Sequence, residues 1–200
     1  TDKMHENHPE AIGQLSKGHA YDMATNIFDR LPQIFFDVKP TDGNEYIRIL
    51  GRTNNERAYK YVRRDYVNKV KNLDKFKLFI PKANGIGAFG EAISSPITAT
   101  PGVGSTETFL SIGILDSEYE MDAALKYIKT KFARALLGVL KTTQDITPDK
   151  WKYVPLQDFT SHSDIDWSKS VAEIDRQLYR KYDLTADEIK FIETHVKEMA

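Results

Sequence analysis

Four short stretches of this 200-residue chain hold residue types that can do chemistry. Gly85-Ile86-Gly87-Ala88-Phe89-Gly90 has the letters of a dinucleotide-binding turn. That motif needs a strand before it and a helix opening on its last glycine, so that the helix N-terminus meets a pyrophosphate. A strand pattern precedes it, but Pro96 and Pro101 preclude a long helix after it. A loop whose glycines let backbone approach a partner fits better. His5 and His8 flank Glu6 in the manner of a metal site, but they sit in a polar N-terminus beside Pro9, which reads as a mobile tail. Ser161-His162-Ser163-Asp164 holds the letters of a catalytic triad without the separation that triad geometry requires, and reads as a capped turn. Glu188-Ile189-Lys190 matches a nuclease signature that belongs on strands, yet falls in a predicted helix. His19, His162 and His195 are isolated from one another and read as surface or capping residues.

The stronger signal is electrostatic. Between Arg48 and Lys77 the chain carries ten Lys and Arg against three acids, interleaved with Tyr59, Tyr61, Tyr66 and Phe76. The formal net charge of the chain is −1, so the excess positive charge is local. Such a stretch is the footprint of a polyanion-binding surface. Its plainer reading is the solvated face of a sheet whose other face holds the tyrosines. On the first reading, Arg52, Arg57, Lys60, Arg63 and Arg64 are candidates for phosphate contact, which is sequence-blind and salt-sensitive. Base edges are read by amide, hydroxyl, ammonium or guanidinium groups, and Asn54, Asn55, Lys82, Asn84, Thr106 and Thr108 supply these. Lys126, Lys129, Lys131, Arg134 and Lys141 form a second basic group, read mostly as the exposed face of an amphipathic helix.

Composition narrows the classes. The chain has no Cys, which excludes disulfides, thiol catalysis and cysteine-based zinc sites. No apolar run approaches the roughly 18 residues that cross a bilayer, and residues 1–20 lack a secretory leader pattern. No membrane association is expected, and the expected compartment is a bacterial cytoplasm. A start at Thr1 suggests a processed protein or a piece of a longer one.

The elements that would position these residues read as follows. Tyr21, Ala24, Ile27, Phe28 and Leu31 predict a helix ended by Pro32. Strands are predicted over residues 44–50, 76–80, 108–115 and 151–156, with a long shaped loop over 82–104. Ser117 with Glu120, and an apolar stripe at 121, 125, 128, 132, 136 and 139, predict one helix to about Lys141. Ser170 with Glu173 and Thr185 with Glu188 predict helices near 168–181 and 185–199. From residue 157 on, ten acids oppose six bases, which suits docking on protein better than on phosphates. The expected fold is mixed α/β (α+β): a twisted mixed sheet flanked by a long helix, then a C-terminal helical pair. The expected division is 1–157, with 1–19 flexible, and 158–200.

Several pieces, in order, carry a resemblance: FKLFIPKANG at 76–85, GSTETFL at 104–110, KYIKTKF at 126–132, VPLQDFT at 154–160, SDIDWS at 163–168, then EID at 173–175 and LY at 178–179. Over roughly residues 45–199 the chain resembles the C-terminal target recognition domain of bacterial restriction-modification proteins, either DNA adenine methyltransferases or fused restriction-methyltransferases. The resemblance implies a domain that lies on double-stranded DNA and reads a short sequence. It also implies an upstream methyltransferase domain, in the same polypeptide, that flips out and methylates an adenine. S-adenosylmethionine is then a cofactor of that upstream domain and not of this chain. The family's Asn/Asp-Pro-Pro-Tyr/Phe motif and its glycine-bearing cofactor motif have no match here, so the chain alone is expected to be non-catalytic. Two other readings stand beside this one: a protein-interaction module that binds a partner subunit, and a self-contained nuclease.

Overall fold

The computed structural model describes residues 1–15, 18 and 21–199; His19 lies outside the described residues. In chain order the elements are α1 (Asp2–Asn7), α2 (Ile27–Arg30), β1 (Tyr46–Thr53), β2 (Glu56–Arg63), β3 (Phe76–Pro81), β4 (Ile97–Ala99), β5 (Val103–Ser105), β6 (Phe109–Leu115), α3 (Glu118–Lys129), α4 (Lys131–Leu140), α5 (Val171–Lys181) and α6 (Ala186–His195). The mixed α/β class is as expected. The chain separates into two compact units: residues 1–75 with 99–109, and residues 76–98 with 110–200. This differs from the expected boundary at 157. The C-terminal helices share a core with α3 and α4 and are not an appendage.

The first unit is built on a three-stranded sheet in the order β2-β1-β5, with β1 antiparallel to β2 and parallel to β5. Strand alternation sends Ile47 and Ile49 of β1, and Val62 of β2, into a core with Phe28, Leu31, Ile34 and Phe35. Residues 1–15 are not loose. Thr1 caps α1, Met4 and Ala11 enter the same core, and a 3-10 turn covers Pro9–Gln14. The helix expected over 21–31 shrinks to one turn. The Thr25 N–H donates to the Glu107 carboxylate (3.3 Å) and the Met23 carbonyl accepts from Glu107 N–H (2.8 Å), so neither backbone group is spent on a helix.

The second unit contains the sheet β4-β3-β6 and helices α3 to α6. Leu78, Ile80, Met121, Ile128, Phe132, Trp167, Ile174 and Leu178 fill its core. The single helix expected over 117–141 is two. Thr130 has extended backbone (φ −59°, ψ 148°), ends α3 and caps α4. Its hydroxyl accepts from Ala133 N–H at 3.1 Å. Asp175 of α5 accepts from the N–H groups of Lys131 (3.0 Å) and Phe132 (2.9 Å). Three of the four orphan donors that open a helix are thereby satisfied, two of them from another element. The break also turns Val139 out of the apolar stripe and leaves it exposed. The strand expected over 151–156 is instead a 3-10 turn at Pro148–Tyr153, started by Pro148 with its fixed φ. The capping boxes of α5 and α6 form as expected. No helix among the described residues is long and apolar enough to cross a membrane.

Candidate nucleic-acid interface

The first half of the basic stretch, residues 48–63, folds into the β1-β2 hairpin; Arg64, Lys69, Lys71 and Lys75 follow it, and Lys77 is buried in β3 of the second unit. The two-residue loop of the hairpin is Asn54-Asn55, both with positive φ (50° and 65°), the signature of a type I′ turn that matches the twist of paired strands. Directly opposed residues share a face, so the register sorts the side chains. One face holds Ile47, Ile49, Ala58 and Val62, together with Lys60, and turns to the core. The other carries Tyr46, Arg48 and Arg52 opposite Arg63, Tyr61 and Arg57, with Tyr59 opposite the buried Leu50. The Arg48 guanidinium lies 4.4 Å from the centre of the Tyr59 ring, an arrangement that holds a cation without neutralising it.

The hairpin separates the candidate phosphate contacts into two groups. Lys60 lies on the core face, largely buried, and its ammonium bonds Asp37 at 2.7 Å. Arg63 makes a forked bond to Asp65 (2.9 and 2.6 Å) and stacks on Tyr66. Asp65 is held below the usual carboxylate range chiefly by that hydrogen bond from Arg63. Arg64 bonds Asp74 and lies 3.4 Å from Glu45. These three cations are therefore matched by carboxylates. Arg48, Arg52 and Arg57 are exposed and form no ion pair among the described residues.

The candidate base-reading residues divide as well. Asn84 is buried, and its side-chain oxygen accepts from both the N–H and the hydroxyl of Ser94 (2.8 and 3.1 Å). Its N–H bonds Gln144 carbonyl, while Lys82 carbonyl accepts from Ile146 N–H, so residues 82–84 pair with 144–146. Asn84 therefore holds a loop and is not presented to a base. Thr106 is also buried; its hydroxyl donates to Thr108 (2.9 Å), which in turn donates to Thr25 (3.2 Å). That chain fixes the segment after β5. Lys82 is half-buried and its ammonium has no partner among the described residues. Lys82 and Asn84 belong to the second unit, the hairpin and both threonines to the first. Asn54 and Asn55 remain exposed at the hairpin tip, with side-chain amides that make no hydrogen bond among the described residues.

Most of the second basic group is committed within its own unit. Lys126 donates to the carbonyls of Trp167 and Lys169, Lys131 to Glu193, and Lys141 to Glu91. Arg134 is buried, not exposed, and donates to the carbonyls of Lys129 (3.2 Å) and Lys197 (2.5 Å).

The glycine-rich loop supplies its own anion. The Glu91 carboxylate accepts from Ile86 N–H (2.9 Å) and Gly87 N–H (3.0 Å) and pairs with the buried Lys141 ammonium. Burial pushes this carboxyl up, but those donors outweigh it and hold its pKa below the ordinary value. No helix follows Gly90. A Cβ on Gly87 would stand 2.7 Å from Thr142 carbonyl oxygen, and one on Gly90 would collide with His195 carbonyl oxygen. The glycines thus admit close backbone approach, and the approaching partner is this chain. At the N-terminus, His8 meets Glu10 at 3.3 Å, and no group of three or more metal-ligating side chains gathers among the described residues. Ser163 caps a turn at Ile165 N–H, and Asp164 pairs with Lys181 at 2.8 Å.

Comparison with protein-family models, with curated proteins and with solved structures gives no match to this chain.

Proposed function

We propose that the chain recognises double-stranded DNA by sequence, as the recognition part of a bacterial restriction-modification enzyme. The catalytic part would be an upstream, S-adenosylmethionine-dependent adenine-N6 methyltransferase domain. One observation carries the DNA reading: the outer face of the hairpin presents Arg48, Arg52 and Arg57 without carboxylate partners, beside Tyr59 and Tyr61. Cations that the fold does not neutralise are available to phosphates and base acceptors, and tyrosines beside them offer flat contact surfaces. The likeness to target recognition domains adds the direction from DNA binding in general to sequence reading.

The test is selection of randomised duplexes on the purified chain at two salt concentrations. A short consensus that persists at the higher salt is the expected result. Sequence-blind binding that collapses with salt would reduce the role to a basic patch. Absence of binding at both salts would favour the second reading, a protein-interaction module. That reading has its own support in the acidic stretch from residue 157 on, where ten acids oppose six bases.

A further inference from the structure

The hairpin tip has three properties that bear on what it can contact. First, Arg52 and Arg57 are directly opposed across the ribbon on the same face. Side chains so placed start about 5 Å apart, and like charges there disfavour the pairing. Neither has a carboxylate; Arg52 donates to the Asn55 carbonyl instead, which ties its guanidinium to the turn and leaves other N–H donors unspent. Second, both turn residues occupy the left-handed region, where glycine is easiest, particularly at the second position of a type I′ turn. Asn55 retains a side chain there at a conformational cost, and its amide bonds nothing among the described residues. Third, the tip is narrow. Two strands stand about 4.8 Å apart. A ribbon of this kind enters the roughly 12 Å major groove of B-DNA and not the roughly 6 Å minor groove.

Resting on the DNA reading above, we infer that the β1-β2 tip is the reading head: it enters the major groove, with Arg52 and Arg57 set against guanine O6 and N7 and the tip amides against neighbouring base edges. This changes the role of the two arginines from phosphate grip to base readout. It also assigns the strained Asn55 a reason to be there. Guanidinium forks match the paired acceptors of guanine, and carboxamides match the donor and acceptor of adenine.

The experiment measures anisotropy-based affinity for the selected consensus duplex and for single-base variants of it. It compares the wild-type chain with Arg52→Ala, Arg57→Ala and Asn55→Gly. Duplexes carrying 7-deazaguanine, which lacks N7, are measured in parallel. Asn55→Gly relaxes the turn and cannot lose binding by unfolding the hairpin, so it separates readout from stability. The expected result is that each arginine variant loses about 5- to 150-fold for the consensus while its affinity for non-consensus duplex changes little. One 7-deazaguanine position should reproduce part of that loss in the wild-type chain, through the missing N7 acceptor, and have no effect on the matching variant. Asn55→Gly should fold at least as well as the wild type and discriminate less at one base. If the wild-type chain selects a consensus but the variants and 7-deazaguanine leave discrimination intact, the reading head lies elsewhere and the DNA role stands. If the wild-type chain binds no duplex, both the inference and the proposed function fall.

Discussion

Asp175 offers the sharpest test of how the second unit is held together. Its carboxylate is buried between α5 and the start of α4, accepting from Lys131 and Phe132 N–H. Arg134 and Glu193 are the charged groups around it, and Tyr179, which donates to Glu193, is close by. Burial pushes its pKa up, from an ordinary 3.8 to about 6, against the downward pull of the two N–H donors and Arg134. A folded-state pKa raised above the unfolded one means stability fully present below the unfolded value and lost as pH rises through the folded one. Each tenfold change in proton affinity is worth about 1.4 kcal/mol, so the wild-type chain loses about 3 kcal/mol in all, of which about 2 kcal/mol falls between about pH 4.5 and 7.5. Asp175→Asn does not titrate, but its amide nitrogen cannot accept from one of the two N–H groups, so it carries a constant cost at every pH. Carboxylates remote from Asp175 titrate alike in both proteins and cancel in the difference. Urea unfolding, followed by fluorescence of the buried Trp167, should therefore show the stability of the Asn variant relative to wild type rising by about 2 kcal/mol between about pH 4.5 and 7.5, on top of that constant cost. A difference that is flat with pH, or that turns against Asn as pH rises, would refute the reasoning. It would mean that the helix-capping bonds to the carboxylate outweigh its desolvation.

Three further outcomes are expected. Glu91→Ala leaves the buried Lys141 ammonium and two loop N–H groups without their anion, which should cost about 3–5 kcal/mol in chemical unfolding, with Glu91→Gln recovering part. Gly90→Ala forces a Cβ onto the His195 backbone in a left-handed conformation, and should lower the thermal midpoint well beyond the effect of Gly102→Ala, which has open space around it. Arg64→Ala, whose cation is already matched by Asp74 and Glu45, should reduce affinity for the consensus duplex less than Arg52→Ala; the reverse order would make Arg64 the more important DNA contact.

The amino-acid sequence by itself determined whatever depends on near neighbours. The capping boxes at Ser170 and Thr185, β3, β6, and the start of α3 at Ser117 all rest on residues within about one turn of each other, and each is legible as a pattern. What the tertiary structure decided is which polar groups are spent. Lys60 and Arg57 look alike in sequence, but strand register turns one to the core and Asp37 and the other to solvent. Asn84 and Asn55 are both loop asparagines; a pairing with residues 144–146 buries the first, and a two-residue turn exposes the second. The helix break at Thr130 is invisible in an unbroken apolar stripe, because the carboxylate that makes it favourable comes from Asp175, 44 residues on from Lys131. The glycine-rich loop follows the same rule, since Lys141 and the Thr142 and His195 backbones that close it are distant in sequence. Charge and hydrogen-bonding capacity are written in the chain, but they are allocated by contacts that form only when it folds.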